Sequence, residues 1–218
     1  IVCPKGHHCP GIANIKPFAC HPGSYSNSTG SSSCELCEIG HICPKSGMAI
    51  PQPCPAGFIC DIRGLSIPDK LCTPGFICEE GTSTDDPDSD INTRPLPCSS
   101  GNFCLAGVAQ KSAVDWLPNK LEGIIAPQEC LEGFYCEVSS PLPTGICFPG
   151  HYCPPGSRYP KQVPVGTFAD EGAIVPALCF PGSYAAALGS SQCLPCPAGN
   201  SCRGYGISVP SICDYGTY

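Results

Sequence analysis

One seven-residue phrase, cysteine, two residues, glycine, two residues and a second cysteine, recurs so often that it sets the terms for everything else. CEIGHIC ends at Cys43, CPAGFIC spans Cys54 to Cys60 and CTPGFIC starts at Cys72. Aligning the cysteines that open the phrase, with glycine three residues later and an apolar or aromatic residue two after that, with occasional slips in the last place, gives eleven copies, starting at Cys3, Cys20, Cys37, Cys54, Cys72, Cys98, Cys130, Cys147, Cys179, Cys196 and Cys213. The steps are 17, 17, 17, 18, 26, 32, 17, 32, 17 and 17 residues, so the basic period is 17. The second 32-residue step hides a degenerate copy, VPVGTFA, which keeps Gly166 and Phe168 and has lost its cysteines. Self-similarity at a fixed short period is the signature of a tandem array.

Each copy reads as a small set of backbone instructions. A proline stands three or four residues before most of the leading cysteines, at Pro17, Pro51, Pro68, Pro95, Pro127, Pro143, Pro176 and Pro210. It favours an extended approach and blocks helix. Glycine in the fourth position permits a tight turn at positive φ. The residues from it onward, such as Gly57-Phe58-Ile59, read as a very short strand. A second turn on glycine follows at Gly47, Gly64 and Gly206, with a proline four residues later. The best short helical candidate is SAVDWLPNKLEG, where Ser112 could cap a turn or two.

The composition agrees with a cross-linked chain. Of 218 residues, 21 are Cys, 27 Pro and 25 Gly, while large apolar groups are few, with one Trp, one Met and eight Phe. Burial alone offsets little ordering entropy in such a chain, so cross-links must supply the rest. Disulfide-dense chains belong to oxidising spaces. We therefore expect a secreted protein or the outer part of a membrane protein. No apolar run approaches the ~20 residues of a membrane span. A net charge of −7 with no basic stripe argues against nucleic acid as a partner. The chain opens and closes inside a copy, which predicts a piece of a longer protein.

The expected fold is small, disulfide-rich and mostly irregular with short β-strands, an elongated tandem array of modules with a period of about 17 residues. The expected parts are a partial repeat at 1–19, a first array at 20–104, a cysteine-free insertion with Trp116 at 105–129, repeats plus an insertion at 130–178, and a second array at 179–218. Eight copies end C-x5-C. Two do not: CHPGSYSNSTGSSSCELC at Cys20 and CFPGSYAAALGSSQCLPC at Cys179, where the next cysteine falls 14 residues later.

The shared pattern CxPGSYxxxxGSSxCxxC resembles the ephrin-receptor-like and growth-factor-receptor-like cysteine-rich repeats, and is similar to the first half of a tumour-necrosis-factor-receptor repeat. The resemblance covers nearly the whole chain. It implies small all-β modules, stacked end to end and extracellular, with Cys20 paired to Cys34 and Cys179 to Cys193. Chains carrying long CPxGxYC arrays include surface proteins of cilia and flagella, among them mastigoneme-type hair-like filaments. The kinase, ephrin-binding domain and ligand-binding loops of the receptors are not visible here.

The remaining thiols admit two pairings. In the local scheme each C-x5-C closes its own ring. In the crossed scheme Cys37 bonds Cys54 and Cys43 bonds Cys60, with Cys72–Cys98, Cys78–Cys104, Cys130–Cys147, Cys136–Cys153 and Cys196–Cys213 likewise. Chain entropy gives about 2.4 kcal/mol for the small ring and about 3.2 kcal/mol for a 17-residue loop, which does not decide. The crossed scheme is preferred because local rings leave the ten-residue spacers tethered to nothing. It sends Cys3 and Cys9 to partners upstream of this chain, and since the eleventh copy stops one residue before its second cysteine would be due, the partner of the odd cysteine is expected outside this chain.

Candidate sites are few. Cys34-Glu-Leu-Cys37 and Cys193-Leu-Pro-Cys196 have zinc-like C-x2-C spacing, but they lie far apart inside disulfide-type repeats, and no metal or cofactor is expected. Asp86, Asp88, Asp90 and Asn92 alternate as in a calcium loop, yet Ile91 stands where glycine belongs and Pro97 where the bidentate acid belongs, so a solvated acidic loop is favoured. His7, His8, His21, His41 and His151 are better explained by the repetition of the motif than by catalysis, and no enzyme is expected. Asn27-Ser28-Thr29 is a full N-glycosylation sequon. Asn102-Phe-Cys and Asn200-Ser-Cys are discounted because their cysteines are engaged. Trp116 is a candidate partner contact, against packing on its own module. The expected role is a structural, non-enzymatic piece of a cell-surface or ciliary filament, bound to its own copies or to other coat proteins. The alternative is the stalk or ligand-binding ectodomain of a receptor.

Overall fold

The computed structural model describes residues 2–11, 16–89, 92–109 and 126–214. It is built from two-residue strands and turns, with no helix among the described residues. Among the described residues, twenty-two strands form eleven separate two-stranded antiparallel ladders. One rule generates them all. The two residues before the closing position of one copy's seven-residue phrase pair with the two residues that precede the next leading cysteine or its equivalent. Thus Phe58–Ile59 pairs with Lys70–Leu71, in register Phe58↔Leu71 and Ile59↔Lys70. His41–Ile42 pairs likewise with Gln52–Pro53. The prolines that start each approach lie just outside these strands, where the fixed φ does no harm to the ladder.

Backbone bonds also run from copy to copy. The Cys54 amide donates to the Gly40 carbonyl at 2.7 Å, the Gly40 amide to the Cys60 carbonyl at 2.7 Å, and the Gly64 amide to the Cys37 carbonyl at 2.8 Å. The same three bonds recur along the chain, for instance Cys147 to Gly133, Gly133 to Cys153 and Gly172 to Cys147. Contact reaches two copies on as well. Gly57 turns at φ 86°, and a Cβ there would sit 2.6 Å from the carbonyl oxygen of Gly107.

The disulfides follow the local scheme. Cys37–Cys43, Cys54–Cys60, Cys72–Cys78, Cys98–Cys104, Cys130–Cys136, Cys147–Cys153 and Cys196–Cys202 close rings within single copies, and so does Cys3–Cys9. This corrects the crossed pairs Cys37–Cys54, Cys43–Cys60, Cys72–Cys98, Cys78–Cys104, Cys130–Cys147, Cys136–Cys153 and Cys196–Cys213, and the upstream partners expected for Cys3 and Cys9. The reason is geometric. The turn on glycine folds the phrase back on itself, bringing the Cα atoms of Cys37 and Cys43 to 6.0 Å, within bridging distance. The spacers are not untethered, because the strand pairs and the glycine amides hold them. The pairs implied by the resemblance, Cys20–Cys34 and Cys179–Cys193, are present. Cys213 is the one free cysteine among the described residues.

The core is a row of small clusters rather than one interior. The apolar residue before a copy's closing position packs on the disulfide of the next copy: Tyr25 on Cys37 and Cys43, Ile42 on Cys54 and Cys60, Ile59 on Cys72 and Cys78, Ile77 on Cys98 and Cys104. In the degenerate copy Val163 and Ala169 are buried in place of the cysteines. Its backbone bonds persist, Val163 to Gly150 at 3.1 Å and Gly166 to Ala185 at 2.7 Å.

By backbone contact the chain divides into two compact units, 1–98 with 104–127, and 99–103 with 128–218. Each carries the same copy-to-copy pattern. The insertion candidates Trp116 and Ser112 fall outside the described residues.

Candidate functional site: the Asn27 loop and its surroundings

The Cys20–Cys34 bridge closes a loop whose two cysteines are 14 residues apart, and that loop carries the sequon. Asn27 is exposed. Its Oδ1 accepts the Ser28 hydroxyl at 2.8 Å. Beneath it Ser26 is buried and bonds the Ser31 hydroxyl at 2.9 Å, while Ser31 donates to the Ser28 carbonyl at 3.2 Å. Ser26 occupies the place that holds the second cysteine in C-x5-C copies, so the serine hydroxyls hold the loop where a sulfur otherwise would. The side-chain amide of Asn27 is therefore presented outward from an ordered turn. The two rarer sequons differ. Their cysteines, Cys104 and Cys202, are spent in disulfides, and the Asn102 amide donates to Ser99 Oγ at 3.1 Å.

Among the described residues one group of metal-type ligands converges, His8 with Cys20 and Cys34. Two of its three members are the sulfurs of a disulfide, so in the oxidised chain the set offers no thiolates to zinc. The C-x2-C cysteines are likewise committed: Cys34 and Cys193 to the long loops, Cys37 and Cys196 to their own rings.

In the acidic loop Asp86 and Asp88 are exposed, and Asp86 Oδ1 accepts the Asp88 amide at 3.0 Å. Asp86 in turn donates its amide to Thr84 Oγ1 at 3.1 Å, and Arg94 donates to the Ser89 carbonyl at 2.8 Å. Asp90 lies outside the described residues. Asp85, just ahead of this run, pairs with Lys70 at 2.9 Å, and Lys70 also reaches Asp61 at 2.6 Å. The hydrogen bonds that Lys70 donates to both carboxylates raise its pKa, and Lys70 lowers that of Asp85. Burial, helped by Glu38 and Glu35, raises that of Tyr25.

Three histidines repeat one local arrangement. The Nδ1 atoms of His7, His41 and His151 lie 3.1, 3.3 and 3.4 Å from the carbonyl oxygens two residues earlier. All three occupy the same place in the motif, so their likeness is a property of the copy. His8 is different: its Nδ1 lies 3.3 Å from Cys34 Sγ.

A set of side chains that the sequence reading missed recurs on the surface. In several copies the residue just before the leading cysteine is an exposed aliphatic one, among them Leu36, Leu71, Ile146 and Leu178, which are 62, 42, 43 and 55 % exposed. Each leans on a second-turn glycine, Leu36 on Gly64, Leu71 on Gly107, Ile146 on Gly172 and Leu178 on Gly206. The signal was in the alignment, because the position keeps an aliphatic residue in several copies. It was hidden because a two-residue strand has no period from which to tell an outward face.

No protein-family model matches the chain, and none of the curated proteins compared with it matches either. What the fold defines is a class: tandem cysteine-rich modules, densely cross-linked by disulfides. Such density belongs to secreted or extracellular chains. No helix among the described residues is long and apolar enough to cross a membrane.

Proposed function

We propose that the chain is a structural, non-enzymatic segment of a larger extracellular protein, a disulfide-stapled rod within a cell-surface or ciliary filament of the mastigoneme type. The ephrin-receptor-like resemblance of its CxPGSY copies supports the extracellular module. One observation carries the assembly reading: the repeated outward aliphatic position Leu36, Leu71, Ile146 and Leu178. Single exposed apolar residues are ordinary on a monomer, but the same place is aliphatic and exposed in several copies, although Glu129 and Gln162 hold it in two others, and so offers a recurring apolar surface to neighbours. The polar alternative was open at every one of these sites, because the side chain projects past the glycine beneath it. The partners are copies of the same chain or other filament proteins, and Asn27 carries a glycan on the outer face of its loop.

Electron microscopy of the full-length native protein, non-reduced and taken from its own cell surface, tests this reading. Ordered filaments or sheets are expected. Isolated monomers or dimers on membranes would overturn it in favour of a receptor stalk or ligand-binding ectodomain.

A further inference from the structure

Wherever the next copy has a disulfide, the residue that faces it is aliphatic or aromatic in every copy but one. Five residues after each leading position stand Tyr25, Ile42, Ile59, Ile77, Phe103, Tyr135, Tyr152, Phe168 and Tyr184, with Ser201 near the end. In the first copy the residue is His8. By the same geometry it meets the Cys20–Cys34 bridge. Its Nδ1 is 3.3 Å from Cys34 Sγ, and the donor atoms of His8, Cys20 and Cys34 all lie within 4.8 Å of one another. The ring is steadied by Phe18, with centroids 5.8 Å apart. The other residues in that series are aliphatic or aromatic, apart from Ser201, and none of them offers a ring nitrogen to a bridge.

Access matters as well. In six of the ten bridges both cysteines are buried, as in Cys54–Cys60. Cys34 is half-exposed while Cys20 is buried. An incoming thiol therefore meets Cys34, and the sulfur that must leave is Cys20. The internal counterpart is Cys179–Cys193, which has the same 14-residue separation and a half-exposed Cys193, but Phe168 in the place of His8.

We propose that Cys20–Cys34 is a thiol-exchangeable disulfide whose opening is assisted by His8. The co-reactant is a small-molecule or protein thiol. Its thiolate attacks Cys34 Sγ and a mixed disulfide forms there. The Cys34–Cys20 bond breaks, its electron pair leaves on Cys20 Sγ, which lies within 4.8 Å of the His8 ring nitrogen, and that sulfur takes a proton from the His8 imidazolium. A second thiolate attacks the outer sulfur of the mixed disulfide, releasing the oxidised dithiol and a Cys34 thiolate. Two thiols are oxidised and one protein bridge is reduced. Exchange is faster when the leaving thiol is the more acidic, and a neighbouring imidazolium has that effect on cysteine. Opening frees the loop that carries Asn27, and the mixed disulfide joins the chain covalently to a thiol-bearing partner.

The native protein treated with reduced glutathione, trapped with iodoacetamide over time and mapped by peptide mass spectrometry provides the test. Cys20–Cys34 should open at least about tenfold faster than Cys179–Cys193. H8F should bring it down to the rate of its counterpart, and F168H should speed the opening of Cys179–Cys193. Equal rates for the two bridges in the native chain would overturn the proposal, as would a difference that survives H8F. If H8F does not fold, F168H decides alone, and an unchanged Cys179–Cys193 rate then overturns it.

Discussion

A single methyl group on Gly57 would have to occupy space already held by the Gly107 carbonyl two copies away, 2.6 Å from where the Cβ must go. Gly81 has nearly the same dihedral, φ 84°, with nothing within 4 Å of its Cβ. The two sites therefore separate backbone strain from crowding. G81A should cost about 1 kcal/mol, the penalty of a left-handed alanine. G57A should cost about 3 kcal/mol, because a neighbouring backbone must also give way. Denaturant unfolding with the disulfides intact measures both, and equal costs would show that the two-copy contact carries no load. At the same scale, the exposed Asn27 should carry a glycan while Asn102 and Asn200 do not, since Cys104 and Cys202 are consumed in bridges. Peptide mapping before and after enzymatic deglycosylation reads all three positions. An unmodified Asn27 in protein from its own source would remove the sequon from any account of this surface.

Much of the element level was legible in the sequence. Gly57-Phe58-Ile59 reads as a very short strand, and the strand is there at Phe58–Ile59, with Gly57 left to the turn. The turns at Gly47, Gly64 and Gly206 take the positive φ that their place after each phrase demanded. The thiol pairing was not legible, because spacing weighs only loop entropy. The deciding facts were amide bonds such as Gly40 to Cys60, which no residue type announces. His8 was equally opaque: a histidine beside a motif histidine looks like repetition until the next copy's disulfide is seated against it. The pairing can be tested directly. C54V/C60A copies the pair that the chain itself uses at Val163 and Ala169, and should fold with a loss of about 2 kcal/mol. Under local pairing it creates no new free thiol. Under crossed pairing Cys37 and Cys43 would be left unpaired, and a thiol assay on the denatured protein would find both. The ion pairs of Lys70 act at this scale too, joining the strand Lys70–Leu71 to Asp61 and Asp85. Asp85 is held below the ordinary carboxylate range, so its contribution is complete above that range and is lost as pH falls through the lowered value. Lys70 is raised, so its contribution is complete below the ordinary lysine value and is lost as pH climbs through the raised one. The stability difference between the native chain and K70M should thus be flat at neutral pH, shrink at both extremes and weaken in salt. A difference that does not change with pH would mean that the lysine stem's packing, and not its charge, matters there.

For the molecule as a whole, the question is what the outward aliphatic position is for. Within each unit, the backbone lattice and the sulfur clusters keep the copies in place without it. Leu36 and Leu71 in one unit and Ile146 and Leu178 in the other rest on glycines, yet much of each side chain stays in water. A change to aspartate at these sites should therefore leave folding nearly intact. It should weaken any association that buries them, since each aliphatic group covered by a neighbour contributes about 1 kcal/mol or more. In the proposed filament those contributions add along the repeat, so L36D/L71D/L178D should abolish ordered assembly of the full-length protein while its thermal unfolding shifts only slightly. Light scattering and electron microscopy give the first readout, and calorimetry the second. Loss of folding together with assembly would show that the position serves the copies' own packing. Full assembly by a well-folded triple variant would show that the chain meets its neighbours through some other surface.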